Sequence, residues 1–372
     1  MTRRLSISPR IDSILPYEPG KPLEELEREL GLSRTVKLAS NENPLGPSPR
    51  AVKAMQIAAG EAHRYPDGGG YYLKRELAAT LDLSMDQIIL GNGSTEIVEI
   101  LAKAFLPPDG EALMCEGAFI MYQIATLAAN ARIRKVPLTA DLRHDLPALA
   151  AGIGPATRLV FIANPNNPTG TRVSRGEMEA YFAAVPDTVL TVVDEAYREY
   201  IDDPDYPDAT EALRRGAQVV VLRTFSKVHG LAGVRLGWGI SHPAVIRLLE
   251  KVRSPFNTSR IAQAGALAAL QDPLHVQRST RLNGTEKQRL ENAFKERGIR
   301  FVPSSANFML VAPGLPGRQV FETLLPLGVI VRPMDGYGFK DHVRITIGTP
   351  EENTRLLAAL DAIRQRHLLR VT

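Results

Sequence analysis

An apolar run at 219–222 is closely followed by the hydroxyls of Thr224 and Ser226 and the amine of Lys227. Arg235 comes shortly afterwards in a glycine-rich stretch. An amine attacks a carbonyl only when it is neutral, and a nearby cation lowers its pKa. Hydroxyls and an arginine fork bind phosphate. The stretch therefore indicates a Schiff-base lysine beside a phosphate site, although most lysines are solvated surface charges.

Two further apolar runs, 158–163 and 189–193, predict buried strands of a largely parallel sheet that is covered on both faces. The first run is followed by the loop 164–170, and the second by Asp194. Ligands of open α/β sheets bind beyond the carboxyl ends of the strands. An amide, a carboxylate, a phenol and an amine are therefore expected in one crevice, those of Asn167, Asp194, Tyr197 and Lys227. Taken singly, the first three also have structural interpretations, as a loop brace, a turn residue and a core aromatic.

A glycine-rich turn at 91–96 precedes apolar residues that are spaced for one helix face, from Ile97 to Phe105. Ser94 is the predicted N-cap of this helix. Such a turn can also offer backbone N–H groups to a phosphate. A plain capped helix is the alternative interpretation.

The composition is that of a globular protein, with 45 basic and 41 acidic residues among 372 and a net charge of +4. This small excess without a basic block argues against nucleic acid and is compatible with small anionic substrates. The single cysteine, Cys115, permits no intrachain disulfide and suits the cytoplasm. We expect neither a signal peptide nor a membrane span, since no apolar run is long enough.

Apolar runs that alternate with helical patterns, such as Arg175–Ala184, predict an α/β fold with βαβ units. Strands at 308–311 and 343–347 and helices at 318–325 and 350–366 predict a smaller α+β domain near the C-terminus. Proline-rich residues 16–22 predict an extended arm, and 23–30 a helix. The predicted division is an N-terminal arm with a small-domain contribution at 1–36, a large domain at 37–260 and a small domain at 261–372.

The chain resembles the pyridoxal-phosphate aminotransferases of fold type I, and within them the histidinol-phosphate aminotransferases. The resemblance covers nearly the whole chain and rests on segments 16–22, 37–44, 65–67, 164–170, 194–197, 224–227 and 343–349. It implies a three-layer fold with a mostly parallel central sheet, pyridoxal 5'-phosphate as cofactor and no metal. It also implies a homodimer with a shared active site.

The resemblance assigns roles around the cofactor. Lys227 would hold it covalently and move a proton, Asp194 would keep its ring nitrogen protonated, and Tyr197 would bind its phenolic oxygen together with Asn167. Phe119 would stack on the ring. The phosphate would be held by Ser94, Thr95, Thr224, Ser226 and Arg235, with Tyr65 reaching the cofactor of the other subunit.

Substrate recognition would involve Tyr17, Asn167, Arg332 and Arg344. Arg344 alternates with apolar residues in its predicted strand, so its side chain could face either solvent or the cleft. One arginine pairs well with a carboxylate, and a second favours the more highly charged phosphate of histidinol phosphate. The same arginine would also accept the carboxylate of glutamate or of an aromatic amino acid.

Two positions depart from the family pattern. Glu116, Gly117 and Ala118 precede Phe119 where a Pro-Thr pair is usual, so the loop lacks its stiffening proline. His229 stands where the family often has tyrosine, and we interpret it as a packing residue.

The implied reaction converts L-histidinol phosphate and 2-oxoglutarate to imidazole-acetol phosphate and L-glutamate, in histidine biosynthesis. Three alternatives remain open: an aromatic amino acid aminotransferase, a decarboxylase of a phosphorylated amino acid, and a binding module that senses the cofactor. The last would need a DNA-binding domain, for which the N-terminal arm is too short and not basic enough.

Overall fold

The computed structural model describes residues 7–16, 27–28, 31 and 35–371, with side chains up to residue 365. Tyr17 lies outside this set, as do most of the predicted arm 16–22 and helix 23–30. The strands are β1 Val36–Lys37, β2 Ile88–Gly91, β3 Glu111–Cys115, β4 Arg132–Val136, β5 Thr157–Ala163, β6 Leu190–Asp194, β7 Val219–Thr224, β8 Gly237–Ile240, β9 Arg300–Val302, β10 Phe308–Ala312, β11 Val329–Ile330, β12 Arg332–Pro333 and β13 Val343–Thr346. The α-helices are Pro9–Asp12, Pro49–Ala59, Tyr71–Leu81, Gly93–Phe105, Ile120–Ala128, Leu146–Ala151, Arg175–Ala184, Ala209–Arg214, Pro243–Glu250, Arg260–Leu270, Pro273–Glu296, Gly317–Leu324 and Pro350–Val371.

The large sheet of the described chain has the strand order β2-β8-β7-β6-β5-β3-β4. Only β8 within it runs antiparallel to its neighbours, β2 and β7. Both faces of the sheet are buried, because successive residues of β7 enter different clusters: Val219 and Val221 pack in one, Val220 and Leu222 in the other. The prediction of an α/β fold with a mostly parallel central sheet is confirmed.

A smaller antiparallel sheet has the order β12-β13-β10-β9 in the described chain. Leu290 and Phe294 of helix Pro273–Glu296, and Leu356 and Leu360 of helix Pro350–Val371, belong to the apolar cluster that packs with this sheet. β1 pairs with β11 in parallel, so the chain near residue 36 joins this smaller unit. The sheet and its helices form the expected α+β arrangement.

The helix Arg260–Leu270 packs with the large sheet rather than with the small one. Ala262, Ala266 and Ala269 lie in the same apolar cluster as Trp238 of β8. The predicted boundary at 260 stays a prediction, and this packing favours a boundary after residue 270. No helix within the described residues is long and apolar enough to cross a membrane.

Candidate active site

One cleft of about 210 Å³ lies at the carboxyl ends of β5, β6 and β7. It forms there because Ala163, the last residue of β5, is paired with Asp194, the last residue of β6. The cleft is lined by Ser94, Thr95, Phe119, Asn167, Asp194, Tyr197, Thr224, Ser226, Lys227 and Arg235. The fold thus brings together ten of the residues proposed from the sequence, which are separated by up to 141 positions in the chain.

Lys227 lies in the turn after β7, and its Nζ donates a hydrogen bond to the carbonyl of Ser40 at 3.5 Å. Burial lowers the pKa of Lys227 to about 8, and the charge of Arg344 is the next largest cause. Arg235, which the sequence placed near this amine, acts in the same direction with a smaller effect. The amine is therefore partly neutral near neutral pH, as a nucleophile requires.

Asp194 is buried, and each of its carboxylate oxygens accepts a hydrogen bond. The Tyr122 hydroxyl donates to Oδ2 at 2.8 Å, and the backbone N–H of Ala196 donates to Oδ1 at 3.1 Å. Burial raises the pKa of Asp194 to about 6, while these two bonds act in the opposite direction. Burial of this kind favours a cationic partner in the cleft.

Tyr122 is a site residue that the sequence did not reveal. Its ring stacks on Phe161 at 4.7 Å and meets Phe119 edge-on at 5.6 Å. Phe119 and Tyr122 are three residues apart at the start of the helix Ile120–Ala128, a spacing that puts side chains on one helix face. That spacing could have indicated that Tyr122 lies near Phe119 in the site. Its hydrogen-bond partner Asp194 could be identified only from the fold.

The loop before Phe119 is braced without the usual proline. Gly117 has φ +63°, and a Cβ there would lie 2.9 Å from the Phe339 ring. Asn166 Nδ2 also donates to the carbonyl of Gly117 at 3.2 Å. Glycine thus permits both the left-handed backbone and the close approach of an aromatic ring from the small sheet's side.

A cradle for a phosphate ester lies at the start of the helix Gly93–Phe105. A Cβ on Gly93 would lie 2.5 Å from Arg235 Nη2, and one on Gly237 would lie 2.4 Å from the backbone nitrogen of Ser94. The two glycines therefore let the guanidinium and β8 approach the first turn, where N–H groups are available. Thr224 and Ser226 line the same cleft with their hydroxyls, which are 3.0 Å apart.

The prediction that Ser94 is the N-cap of this helix is wrong. The N-cap is Asn92, and Glu96 Oε2 accepts a hydrogen bond from its backbone N–H at 2.6 Å. Glu96 reaches back to the backbone N–H of Asn92, and no side chain of the described residues caps the N–H groups of the first turn. Because the helix begins at Gly93, Ser94 sits inside that turn and lines the cleft beside Thr95.

Arg344 lies in β13 and is only 7% exposed, so the alternative of a solvent-facing arginine is wrong. Its Nη1 donates to Asn167 Oδ1 at 2.6 Å, and its Nη2 donates to the carbonyl of Ala39 at 2.7 Å. Arg332 is paired with Arg344 in the register of β12 and β13, which puts the two side chains on one face of the sheet. Neither arginine lines the cleft itself, but Arg344 contacts the cleft residue Asn167, and Arg332 is its neighbour on the sheet.

Tyr65 does not line the cleft of its own chain. It is 78% exposed, and its ring stacks on Phe256 at 4.7 Å. Asp67 fixes the following turn, because its carboxylate accepts hydrogen bonds from the backbone N–H groups of Gly69 and Tyr71 at 2.9 and 2.7 Å. His229 is buried against Phe225, and burial lowers the pKa of His229 to about 4.

No group of three or more His, Cys, Asp or Glu side chains in the described part of the chain is arranged to hold a metal ion.

The sequence model of the family "Aminotransferase class I and II" matches residues 33–360. The histidinol-phosphate aminotransferase 1 of Nitrosococcus oceani is 46% identical over 353 residues, 95% of each chain. The histidinol-phosphate aminotransferase of Moorella thermoacetica is 47% identical over 352 residues, 94% of this chain and 91% of that one. Among solved structures, the histidinol-phosphate aminotransferase of Sinorhizobium meliloti in complex with pyridoxal-5'-phosphate superposes with a TM-score of 0.88 at 30% identity, covering 98% of this chain and 99% of that one.

Proposed function

The chain belongs to the class I and II aminotransferase family, and we propose that it exchanges an amino group between L-histidinol phosphate and 2-oxoglutarate with pyridoxal 5'-phosphate. The products are imidazole-acetol phosphate and L-glutamate, and the reaction is a step of histidine biosynthesis. The observation that supports this substrate is the pairing of Arg332 with Arg344, which in turn contacts the cleft residue Asn167. The curated relatives of the same name, which match over more than nine tenths of this chain, agree with it.

The cleft residues fit pyridoxal phosphate. The glycine cradle between Gly93, Gly237 and Arg235 leaves no room for a side chain, as a close approach of backbone to a phosphate demands. Asp194 offers a buried carboxylate to a protonated ring nitrogen. Lys227 offers an amine whose pKa is lowered to about 8.

Each part of the cofactor has proposed partners. The phosphate is held by Ser94, Thr95, Thr224, Ser226 and Arg235, all of which line the cleft. Phe119 stacks on the ring, Asp194 pairs with its nitrogen, and Asn167 and Tyr197 bind its phenolic oxygen. Lys227 binds the cofactor covalently.

When it is bound, pyridoxal phosphate supplies an electron sink for the electron pair that is released at the substrate carbon. Asp194 supports this by holding the ring nitrogen in its protonated form, because an uncompensated carboxylate is costly in a buried site. Lys227 Nζ moves the proton at the substrate carbon, which requires the neutral amine. With a pKa of about 8, about a tenth of such amines are neutral at pH 7.

The substrate's anionic end is bound by the two arginines. The phosphate of histidinol phosphate carries more charge than a carboxylate, so a second cation adds more to its binding. Arg344, which contacts the cleft residue Asn167 at 2.6 Å, is the arginine that also binds the carboxylate of glutamate. Arg332 is the residue that favours the phosphate. Tyr17, which lies outside the described residues, is the fourth substrate-binding residue that the family resemblance implies.

The function is tested by comparing kcat/KM for L-histidinol phosphate and for L-phenylalanine, each with 2-oxoglutarate. We expect a clear preference for L-histidinol phosphate. A preference for L-phenylalanine would overturn the substrate assignment in favour of an aromatic aminotransferase. Release of carbon dioxide from a phosphorylated amino acid, without a keto acid acceptor, would overturn the reaction itself.

The proposed assembly is a homodimer with a shared active site, in the cytoplasm. The support for the dimer is two pairs of exposed aromatic side chains, in which Tyr65 stacks on Phe256 and Tyr71 meets Tyr72 edge-on. Large exposed apolar patches mark interaction surfaces in proteins of this kind. In this assembly Tyr65 reaches the cofactor phosphate of the partner subunit.

A further inference from the structure

Asn41 is buried to 1% exposure and adopts the left-handed conformation, with φ +57°. Its backbone N–H donates to Thr346 Oγ1 at 2.9 Å, and its backbone carbonyl accepts from Asn307 Nδ2 at 3.0 Å. Its side-chain Oδ1 accepts from Thr346 Oγ1 at 3.3 Å, and its Nδ2 donates to Tyr197 Oη at 3.0 Å. A single residue thus links β13 of the small sheet to the phenol in the cleft.

These hydrogen bonds form a series from Thr346 through Asn41 to Tyr197, and the direction of each is fixed by the one before it. The Thr346 hydroxyl has one proton and already accepts a bond from the Asn41 backbone, so it donates that proton to Asn41 Oδ1. With its oxygen so engaged, the Asn41 amide presents Nδ2 to Tyr197. Since an amide nitrogen is only a donor, Tyr197 Oη must accept this bond.

A second amide acts on Tyr197 in the same sense. Arg344 has no acceptor, so the atom of Asn167 that it contacts at 2.6 Å is the oxygen. Asn167 therefore presents its Nδ2 to Tyr197 Oη, at 3.4 Å. With two N–H groups directed at its oxygen, the phenol has its own proton left for another acceptor.

We propose that Asn41 and Thr346 are positioning residues that direct the hydroxyl proton of Tyr197 into the cleft. The inference rests on the proposed function, in which the phenolic oxygen of pyridoxal phosphate receives that proton. A phenol that donates to this oxygen stabilises it most when it carries its full negative charge, after the adjoining nitrogen contributed by Lys227 has lost its proton. The directed donor thus lowers the pH at which that nitrogen titrates.

The test is a pH titration of the visible absorption of the bound cofactor in the full-length protein. Thr346→Val keeps the shape of the side chain and removes the hydroxyl, and the titration midpoint should rise by about half a pH unit. Tyr197→Phe should raise it further. In the Tyr197→Phe background, Thr346→Val should add no shift, because the group that it directs is gone.

If Thr346→Val shifts the titration midpoint equally in the unsubstituted protein and in Tyr197→Phe, its effect is structural and the proposal is overturned. An unchanged midpoint in Thr346→Val alone would also overturn it. Asn41→Gly is the second variant, because glycine keeps the left-handed backbone while it removes the amide. It should raise the midpoint as Thr346→Val does, and an unchanged midpoint would equally count against the proposal.

Thr126→Val is the matched control. Thr126 is a fully buried threonine whose hydroxyl donates to the Tyr122 carbonyl within its own helix, so the midpoint should stay at the unsubstituted value. A shift as large as that of Thr346→Val would overturn the proposal. If the unsubstituted protein shows no visible band after addition of pyridoxal phosphate, the proposed function itself has failed, which is a different result from a present band with unmoved midpoints.

Discussion

Arg344 Nη1 donates a hydrogen bond to Asn167 Oδ1 at 2.6 Å and so connects the small sheet to the loop after β5. Arg332 occupies the position opposite Arg344 in the neighbouring strand, so two cationic side chains lie side by side on one face of the small sheet. Arg344 is tied to the protein on two sides, by Asn167 and by the Ala39 carbonyl. The two arginines should therefore respond differently to substitution.

We expect Arg332→Ala to lower kcat/KM for L-histidinol phosphate by about ten- to a hundredfold, since an ionic hydrogen bond contributes about 1.5–3 kcal/mol. The value for L-glutamate should fall less, because one arginine suffices for a carboxylate. Steady-state kinetics of the two half-reactions measure this. Arg318→Ala is the control, as Arg318 pairs with Asp335 on the surface. Equal losses of kcat/KM for the two substrates in Arg332→Ala would contradict the assignment.

The second prediction concerns the pH dependence of Lys227. Its pKa is lowered to about 8, so the neutral amine is depleted as the pH falls below 8. In the cofactor-free protein, the rate of pyridoxal phosphate attachment should rise with pH and level off above about 8. An ordinary lysine would give a rise that continues towards pH 10.

Stopped-flow absorbance measures this rate, and Lys227→Ala is the control that should fold without forming the covalent link. Borohydride reduction should label the Lys227 peptide of the unsubstituted protein only. A plateau near pH 10, or a labelled peptide elsewhere in the chain, would contradict the assignment of Lys227.

The sequence predicted the cleft well because strand ends are local features. Each of β5, β6 and β7 is an apolar run that stops at a polar residue, and parallel strands place those stops at one edge. The side on which Arg344 lies could not be predicted in this way. All four residues of β13 are buried, since helices cover one face of the small sheet, and on the other face Arg344 and Thr346 contact Asn167 and Asn41.

The contacts that the sequence missed join distant parts of the chain. Asn41 meets Tyr197 and Thr346 across separations of 156 and 305 residues, and nothing local to Asn41 indicates either partner. From the sequence, the loop at Gly117 was expected to be less stiff because it lacks a proline. The contact with the Phe339 ring, which braces this loop, could not be predicted from the local sequence. The prediction of Ser94 as the N-cap failed for a local reason, since the helix already begins at Gly93 and Asn92 occupies the N-cap position.

Tyr122→Phe should weaken the support of Asp194. The lost hydroxyl donates to Asp194 Oδ2 at 2.8 Å and opposes the rise of the Asp194 pKa to about 6. Without the Tyr122 hydroxyl the pKa of Asp194 rises further, so Asp194 becomes anionic only at a higher pH. The acid limb of the kcat profile should move to higher pH by about 0.7 unit, since one hydrogen bond contributes about 1 kcal/mol.

Tyr181→Phe is the matched control for this experiment. Tyr181 is a buried tyrosine whose hydroxyl lies 3.1 Å from Thr191 Oγ1, and it does not line the cleft. Its removal should lower stability without moving the acid limb. An unmoved limb in Tyr122→Phe would show that Tyr122 serves packing alone.

Gly117→Ala should lower both stability and cofactor binding. The new Cβ meets a left-handed backbone, at φ +63°, and the Phe339 ring at 2.9 Å. We expect a loss of about 1–3 kcal/mol in the free energy of unfolding. Gly216→Ala is the control for backbone strain, because Gly216 has φ +91° with no atom within 4 Å of the added carbon. Equal losses in urea unfolding of the two variants would mean that the Phe339 contact contributes nothing.

The proposed shared active site predicts that two impaired variants restore each other. Tyr65 is exposed and absent from the cleft of its own chain, whereas Lys227 lines that cleft. We expect Tyr65→Ala and Lys227→Ala homodimers to be strongly impaired. A hybrid dimer has one site with both substitutions and one with neither, because the Tyr65→Ala subunit supplies Lys227 and the Lys227→Ala subunit supplies Tyr65.

Mixed subunits that exchange freely in equal amounts form hybrids as about half of the dimers by random pairing. Each hybrid contains one intact site of two, so the mixture should regain about a quarter of the activity of the unsubstituted protein. Mixing Lys227→Ala with Asp194→Ala is the control, because both of these residues line the same cleft and no hybrid site is then intact. Light scattering should show dimers throughout. Dimers that exchange subunits without regaining activity in the Tyr65 mixture would place Tyr65 outside the partner's site.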